Sequence, residues 1–79
     1  MNKWMCYYEC IAISREAVSF RIEIYDNETG EMVAKANNLI NRRTRKGNVD
    51  WIVKRGTLSP ISPTEIHKHC LKRMEESGL

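Results

Sequence analysis

The residues best suited to a chemical task form one short run, Arg42-Arg43-Thr44-Arg45-Lys46. Four cations within five positions repel one another and add nothing to a folded core. Their use therefore lies in solvent, toward something negative. Arginine's planar fork grips phosphate and can also read a guanine edge, while lysine offers a compact point charge. Lys54 and Arg55 continue the bias, although a fourth strand would carry them to its far end, so that they extend the patch only partly. Between Arg42 and Arg55 only Asp50 opposes these six cations. Outside that stretch the chain is slightly acidic, so the mild net charge of +3 conceals an uneven distribution. The bland alternative is a solvated loop that charge keeps soluble, or a short regulatory patch. Trp51, close in sequence, offers a stacking surface unless its alternation with Val49 and Val53 buries it.

Cysteine and histidine supply the other reactive types: Cys6, Cys10, Cys70, His67 and His69. A tetrahedral zinc site needs four ligands at close quarters. Cys6 and Cys10 lie about 13 Å apart along an extended strand and cannot share an ion. His67 and Cys70 share a helix face, which leaves the ligand set incomplete. Adjacent helical residues such as His69 and Cys70 point about 100° apart, so they do not form a nucleophile–base pair. Glu75 and Glu76 fall at an exposed helix end, and there is no glycine-rich phosphate loop. No catalytic residue, metal site or cofactor is expected, and the chain reads as a non-enzyme. An odd number of cysteines does not suit a small secreted disulfide scaffold, which favours reduced, partly buried thiols.

The elements that must position these residues are legible from periodicity. Residues 3–13 are aromatic and β-branched on both faces, which suggests a strand covered on both sides or strongly twisted. Val18, Phe20, Ile22 and Ile24 alternate with Ser19, Arg21, Glu23 and Tyr25, the pattern of a strand with one face in the core. Asp26-Asn27-Glu28-Thr29-Gly30-Glu31 then closes a hairpin whose return strand covers roughly 31–40. Asn37-Asn38 weakens that strand. Residues 41–48 form a basic loop before a fourth strand near 49–54, although 37–48 also reads as one long loop.

A Ser/Pro connector leads to the best-marked element. Ser62, Pro63 and Glu65 form an N-cap, a first-turn proline and a capping box, flanked by Ile61 and Ile66 as a hydrophobic staple. The helix should run about 63–77 and stop at Gly78, with Ile66, Cys70, Leu71 and Met74 on its apolar stripe.

The resulting expectation is a single α+β domain over residues 1–79. A small antiparallel sheet of three to four strands, in β-β-β-β-α order, carries one C-terminal helix on one face. A 79-residue chain has too small a core to wall off a deep pocket. No stretch is long and apolar enough to span a membrane, and no signal sequence is evident, so a cytoplasmic protein with no membrane partner is expected. The preferred reading is a binding module that contacts nucleic acid through Arg42, Arg43, Arg45 and Lys46, with Lys54, Arg55 and the helix cations Lys68, Lys72 and Arg73 as extensions. The alternative is a protein-binding inhibitor or adaptor, of the kind phages encode, acting on a larger complex. Its apolar first strand would serve a partner or a homodimer.

Overall fold

The structure is a computed structural model that describes residues 3–55 and 61–79. Four strands, β1 (Trp4–Ile13), β2 (Ala17–Asp26), β3 (Met32–Asn41) and β4 (Gly47–Lys54), precede one helix, α1 (Pro63–Glu76). The strands form one antiparallel sheet in the order β1-β2-β3-β4. The expected α+β order is the observed one. The connector after Arg55 falls largely on residues 56–60, outside the described residues.

Alternation in β2 sets the core. Val18, Phe20, Ile22 and Ile24 are all buried, joined by Ala34, Ala36 and Ile40 of β3 and by Ile66, Cys70 and Met74 of α1. Each large aliphatic side chain removed from water in this way contributes about 1.5–3 kcal/mol. The alanines let the helix approach the sheet. Leu71, on the edge of the helix stripe, is only half-buried.

Both ends of α1 follow the sequence signals. Ser62 adopts an extended backbone, and its hydroxyl accepts the Glu65 N–H at 3.2 Å. Pro63 takes the first turn, and Ile61 packs on the core beside Ile66. At the other end Gly78 has φ +74°. The Leu79 N–H reaches Met74 O at 2.8 Å, and the Gly78 N–H reaches Glu75 O at 3.1 Å. These two bonds form a Schellman closure, with Leu79 folded back onto the core.

One expectation changes and one alternative is excluded. First, β1 is not covered on both sides: it is an edge strand, and from Glu9 onward it is exposed. Its pairing with β2 is irregular between Cys10 and Ala12, so the apolar residues near its end lie in solvent instead of in a second layer. Second, residues 37–48 are not one long loop: the return strand expected over roughly 31–40 is present as β3 and contains Asn37 and Asn38. Asn38 is fully buried, and its amide is used by the helix, so the strand continues to Asn41 and the loop contracts to residues 42–46.

Candidate functional site

The β3–β4 loop is built by side chains that replace missing backbone partners. Asn41 Oδ1 accepts the N–H groups of Arg43 and Thr44, each at 2.9 Å. Asn41 also donates its own N–H to Lys46 O at 2.8 Å and accepts Arg45 N–H at its carbonyl, again at 2.8 Å. Thr44 Oγ1 takes the Lys46 N–H at 3.3 Å. This frame turns the chain through Arg45, which adopts the left-handed conformation at φ +64°. Gly47 follows directly: a Cβ there would meet Leu39 O at 2.7 Å and Asn38 Oδ1 at 2.8 Å.

The loop is tied to its neighbours on two sides. On the helix side, Asn38 Nδ2–H donates to His67 Nδ1 at 3.1 Å, and His67 Nε2–H donates to Arg45 O at 3.0 Å. With the Asn38 amide in this orientation, Nδ1 accepts and Nε2 donates. The Arg45 guanidinium lies 4.0 Å from Met74 Sδ. On the sheet side, the loop meets the β1–β2 turn. Arg42 N–H donates to Glu16 O at 2.8 Å, and its guanidinium donates to Ser14 O at 3.0 Å.

These contacts bring Arg42, Arg43, Arg45 and Lys46 together and add Arg15, which the sequence reading did not include. Arg15 is isolated in sequence between Ser14 and Glu16, and only the pairing of β2 with β3, which sets Ala17 against Asn41, places its turn beside the loop. Five cations therefore share one end of the sheet with Glu16 of the turn and Asp50 of the neighbouring groove. A shallow, open groove of about 490 Å³ lies beside them, with Lys46, Asn48 and Asp50 in its wall.

Lys54 and Arg55 lie elsewhere. β4 carries the chain about 23 Å from Gly47 to Lys54, at the opposite end of the sheet. There the Arg55 guanidinium pairs with Glu31 at 2.6 Å, and the Lys54 ammonium sits 5.8 Å from the Trp51 ring centre. Trp51 is half-buried against the core. On the helix, Arg73 covers the Tyr8 ring at 5.5 Å, while Lys68 and Lys72 are exposed.

The thiols are dispersed. Cys70 is buried beside Asn38, Cys6 is half-buried and Cys10 is exposed. Burial pushes the Cys70 and Cys6 thiols up, so both are protonated and poorly nucleophilic near neutral pH. His69 packs on Tyr8, with ring centres 5.4 Å apart, and faces no cysteine in these contacts. Burial also pushes the Tyr8 hydroxyl up, to about 12, and that oxygen has no hydrogen-bond partner among the described residues. Among the described residues no three His, Cys, Asp or Glu side chains converge as a metal site. No helix among them is long and apolar enough to cross a membrane.

No family model matches this chain, and no curated protein or solved structure does either.

Proposed function

We propose that the protein is a non-catalytic binding module that grips the phosphate backbone of a nucleic acid with its paired β1–β2 and β3–β4 turns. One observation carries the reading: the net positive charge is concentrated at that end. Arg15, Arg42, Arg43, Arg45 and Lys46 outnumber Glu16 and Asp50, whereas at the far end Lys3, Lys54 and Arg55 offset Asp26, Glu28 and Glu31. Such an end attracts a polyanion by releasing the counterions condensed on it.

The test is an anisotropy titration against labelled duplex DNA, single-stranded DNA and structured RNA over a range of salt. Log K should fall with log salt by about 0.9 per duplex phosphate contacted. Arg15→Ala/Arg43→Ala/Lys46→Ala spares the Arg42 and Arg45 contacts that hold the loop. This variant should flatten the slope and cost at least tenfold in affinity at physiological salt. Equal binding by the variant, or no binding by the parent protein, sinks the reading.

A second reading, an inhibitor or adaptor that binds a protein, is favoured by the open face of the sheet. Leu39 is 61% exposed, Tyr7 55% and Ile52 54%, on the side that α1 does not cover. Absence of nucleic-acid binding together with capture of a protein that Leu39→Lys abolishes would favour it.

A further inference from the structure

The two edges of the sheet differ in how they are defended. An exposed edge presents unpaired N–H and C=O groups, and folded proteins usually blunt it with charges, bulges or short strands. β4 is defended: Asp50 and Lys54 lie on it, and its pairing with β3 skips Ile52, which bends the strand. β1 is longer and runs regularly from Trp4 to Cys10, because its irregularity comes only after that segment. Trp4-Met5-Cys6-Tyr7-Tyr8-Glu9-Cys10 contains one charge, and Glu9 is already neutralised by Arg21 at 2.6 Å. Among the described residues no strand covers its outer side.

The direction of the backbone groups can be read from the ladder. Lys3 O accepts the Asn27 N–H, so Lys3 points its polar groups toward β2. Alternation then turns Met5, Tyr7 and Glu9 toward β2, and Trp4, Cys6, Tyr8 and Cys10 outward.

We infer that this outer edge pairs with β1 of a second copy, antiparallel and centred on Tyr7, to form one continuous eight-stranded sheet. About that centre, Cys6 of one copy lies opposite Tyr8 of the other, and Trp4 opposite Cys10. Each such pair exchanges two main-chain hydrogen bonds, so all four outward-facing residues are satisfied. The two Tyr7 residues meet as a non-hydrogen-bonded pair, where side chains approach most closely. Each Tyr7 ring already has Tyr25 edge-on at 5.5 Å, so the junction becomes a row of four aromatic rings. Glu9 falls opposite Met5 and meets no like charge.

The two-fold register selects a second copy over an unrelated strand, because Glu9, the one charge of the segment, meets no charge of the other copy and the cationic ends part. The antiparallel arrangement sends the two cationic ends in opposite directions. Each β1–β2 turn, with Arg15, is then on the side of the other copy's β2–β3 hairpin, an end where Lys3, Lys54 and Arg55 offset Asp26, Glu28 and Glu31, and not beside the other cationic loop. The pairing uses no residue of the basic loop and stands independently of what that loop binds.

Sedimentation velocity over a concentration series tests it, together with oxidative cross-linking of Tyr7→Cys in a Cys6→Ser/Cys10→Ser background. The expected results are a dimer for the parent protein, a monomer with unchanged circular dichroism for Tyr7→Lys, a dimer for Ile52→Lys, and a cross-link between the two position-7 cysteines. A parent protein that stays monomeric at its highest soluble concentration overturns the inference. So does a dimer that forms no position-7 cross-link, whatever the fate of Tyr7→Lys.

Discussion

The two long hairpin loops of this sheet have the same skeleton and opposite charge. In the β2–β3 loop, Asp26 Oδ1 accepts the N–H groups of Glu28 and Thr29 at 2.7 and 3.2 Å, and Thr29 Oγ1 accepts the Glu31 N–H at 3.2 Å. The Asp26 N–H meets Glu31 O, and the Gly30 N–H meets Asp26 O, both at 2.8 Å. Advancing every number by fifteen gives the β3–β4 loop, bond for bond: Asn41 stands for Asp26, Thr44 for Thr29 and Arg45 for Gly30. An Asx side chain at the first position and a threonine at the fourth suffice to close the turn. The remaining positions are unconstrained by the frame, and there one loop carries Glu28 and Glu31 where the other carries Arg43 and Lys46. Backbone geometry and surface charge are thus specified by different residues. The basic loop's charge is a property added to a turn that folds equally well without it.

The comparison breaks first at the exit from each loop. Met32 follows the acidic loop and bears a side chain; Gly47 follows the basic one and has no room for a Cβ. The obstructing atoms are the Leu39 carbonyl and the amide of buried Asn38, neither of which yields freely. Gly47→Ala should destabilise the fold by about 1–3 kcal/mol, the usual cost of overpacking a filled site. Met32→Ala should cost clearly less. Urea denaturation of both variants compares them, and equal losses would mean that the close approach at Gly47 relaxes freely.

The shared frame makes a smaller prediction. Asp26→Ala and Asn41→Ala each strip two N–H groups of their acceptor, and each should cost about 1 kcal/mol, as the loss of the same contact does at a helix N-cap. The two losses should be of similar size, because the two frames share the same hydrogen bonds. A much larger loss at Asn41 would show that the His67 tie to Arg45 depends on the frame.

What the sequence discloses follows from the range of the interactions. The β2 alternation, the Asp26–Gly30 turn and the Ser62–Pro63–Glu65 cap are local, so they are legible by themselves, and fold order follows from them. Val18 and Ile24 are buried because they continue the every-second-residue spacing of Phe20 and Ile22, which puts all four on one face of β2. The candidate site depends on contacts between distant residues. Arg15 joins the cationic end through Arg42, nearly thirty positions away, and no spacing rule exposes that. The distance of Lys54 and Arg55 from Lys46, by contrast, follows from the alternation of β4 alone, which carries them a strand's length away. The length of β3 again depends on a distant residue, His67, whose ring takes the Asn38 amide and lets a polar residue continue inside the sheet. The loop homology itself was hidden because its positive-φ position is filled by glycine in one loop and arginine in the other.

That last difference gives the sharpest contrast and the smallest energy. At φ +74° Gly30 is at ease, while Arg45 at φ +64° holds a conformation that side chains other than glycine rarely adopt. The left-handed region costs such a residue about 1–2 kcal/mol, partly offset because glycine gains more freedom on unfolding. Arg45→Gly should therefore raise stability by up to about 1 kcal/mol, less whatever its guanidinium contributes against Met74. Gly30→Ala should lower it by a similar amount. If the cationic end binds phosphate, the stabilised Arg45→Gly protein should also bind more weakly, with a salt slope shallower by about one contact. Stability and affinity would then move in opposite directions at one residue, which marks a side chain kept for contact with a ligand. If both rise together, or affinity stays constant, Arg45 serves only to pin the loop to α1, and the grip belongs to Arg15, Arg43 and Lys46.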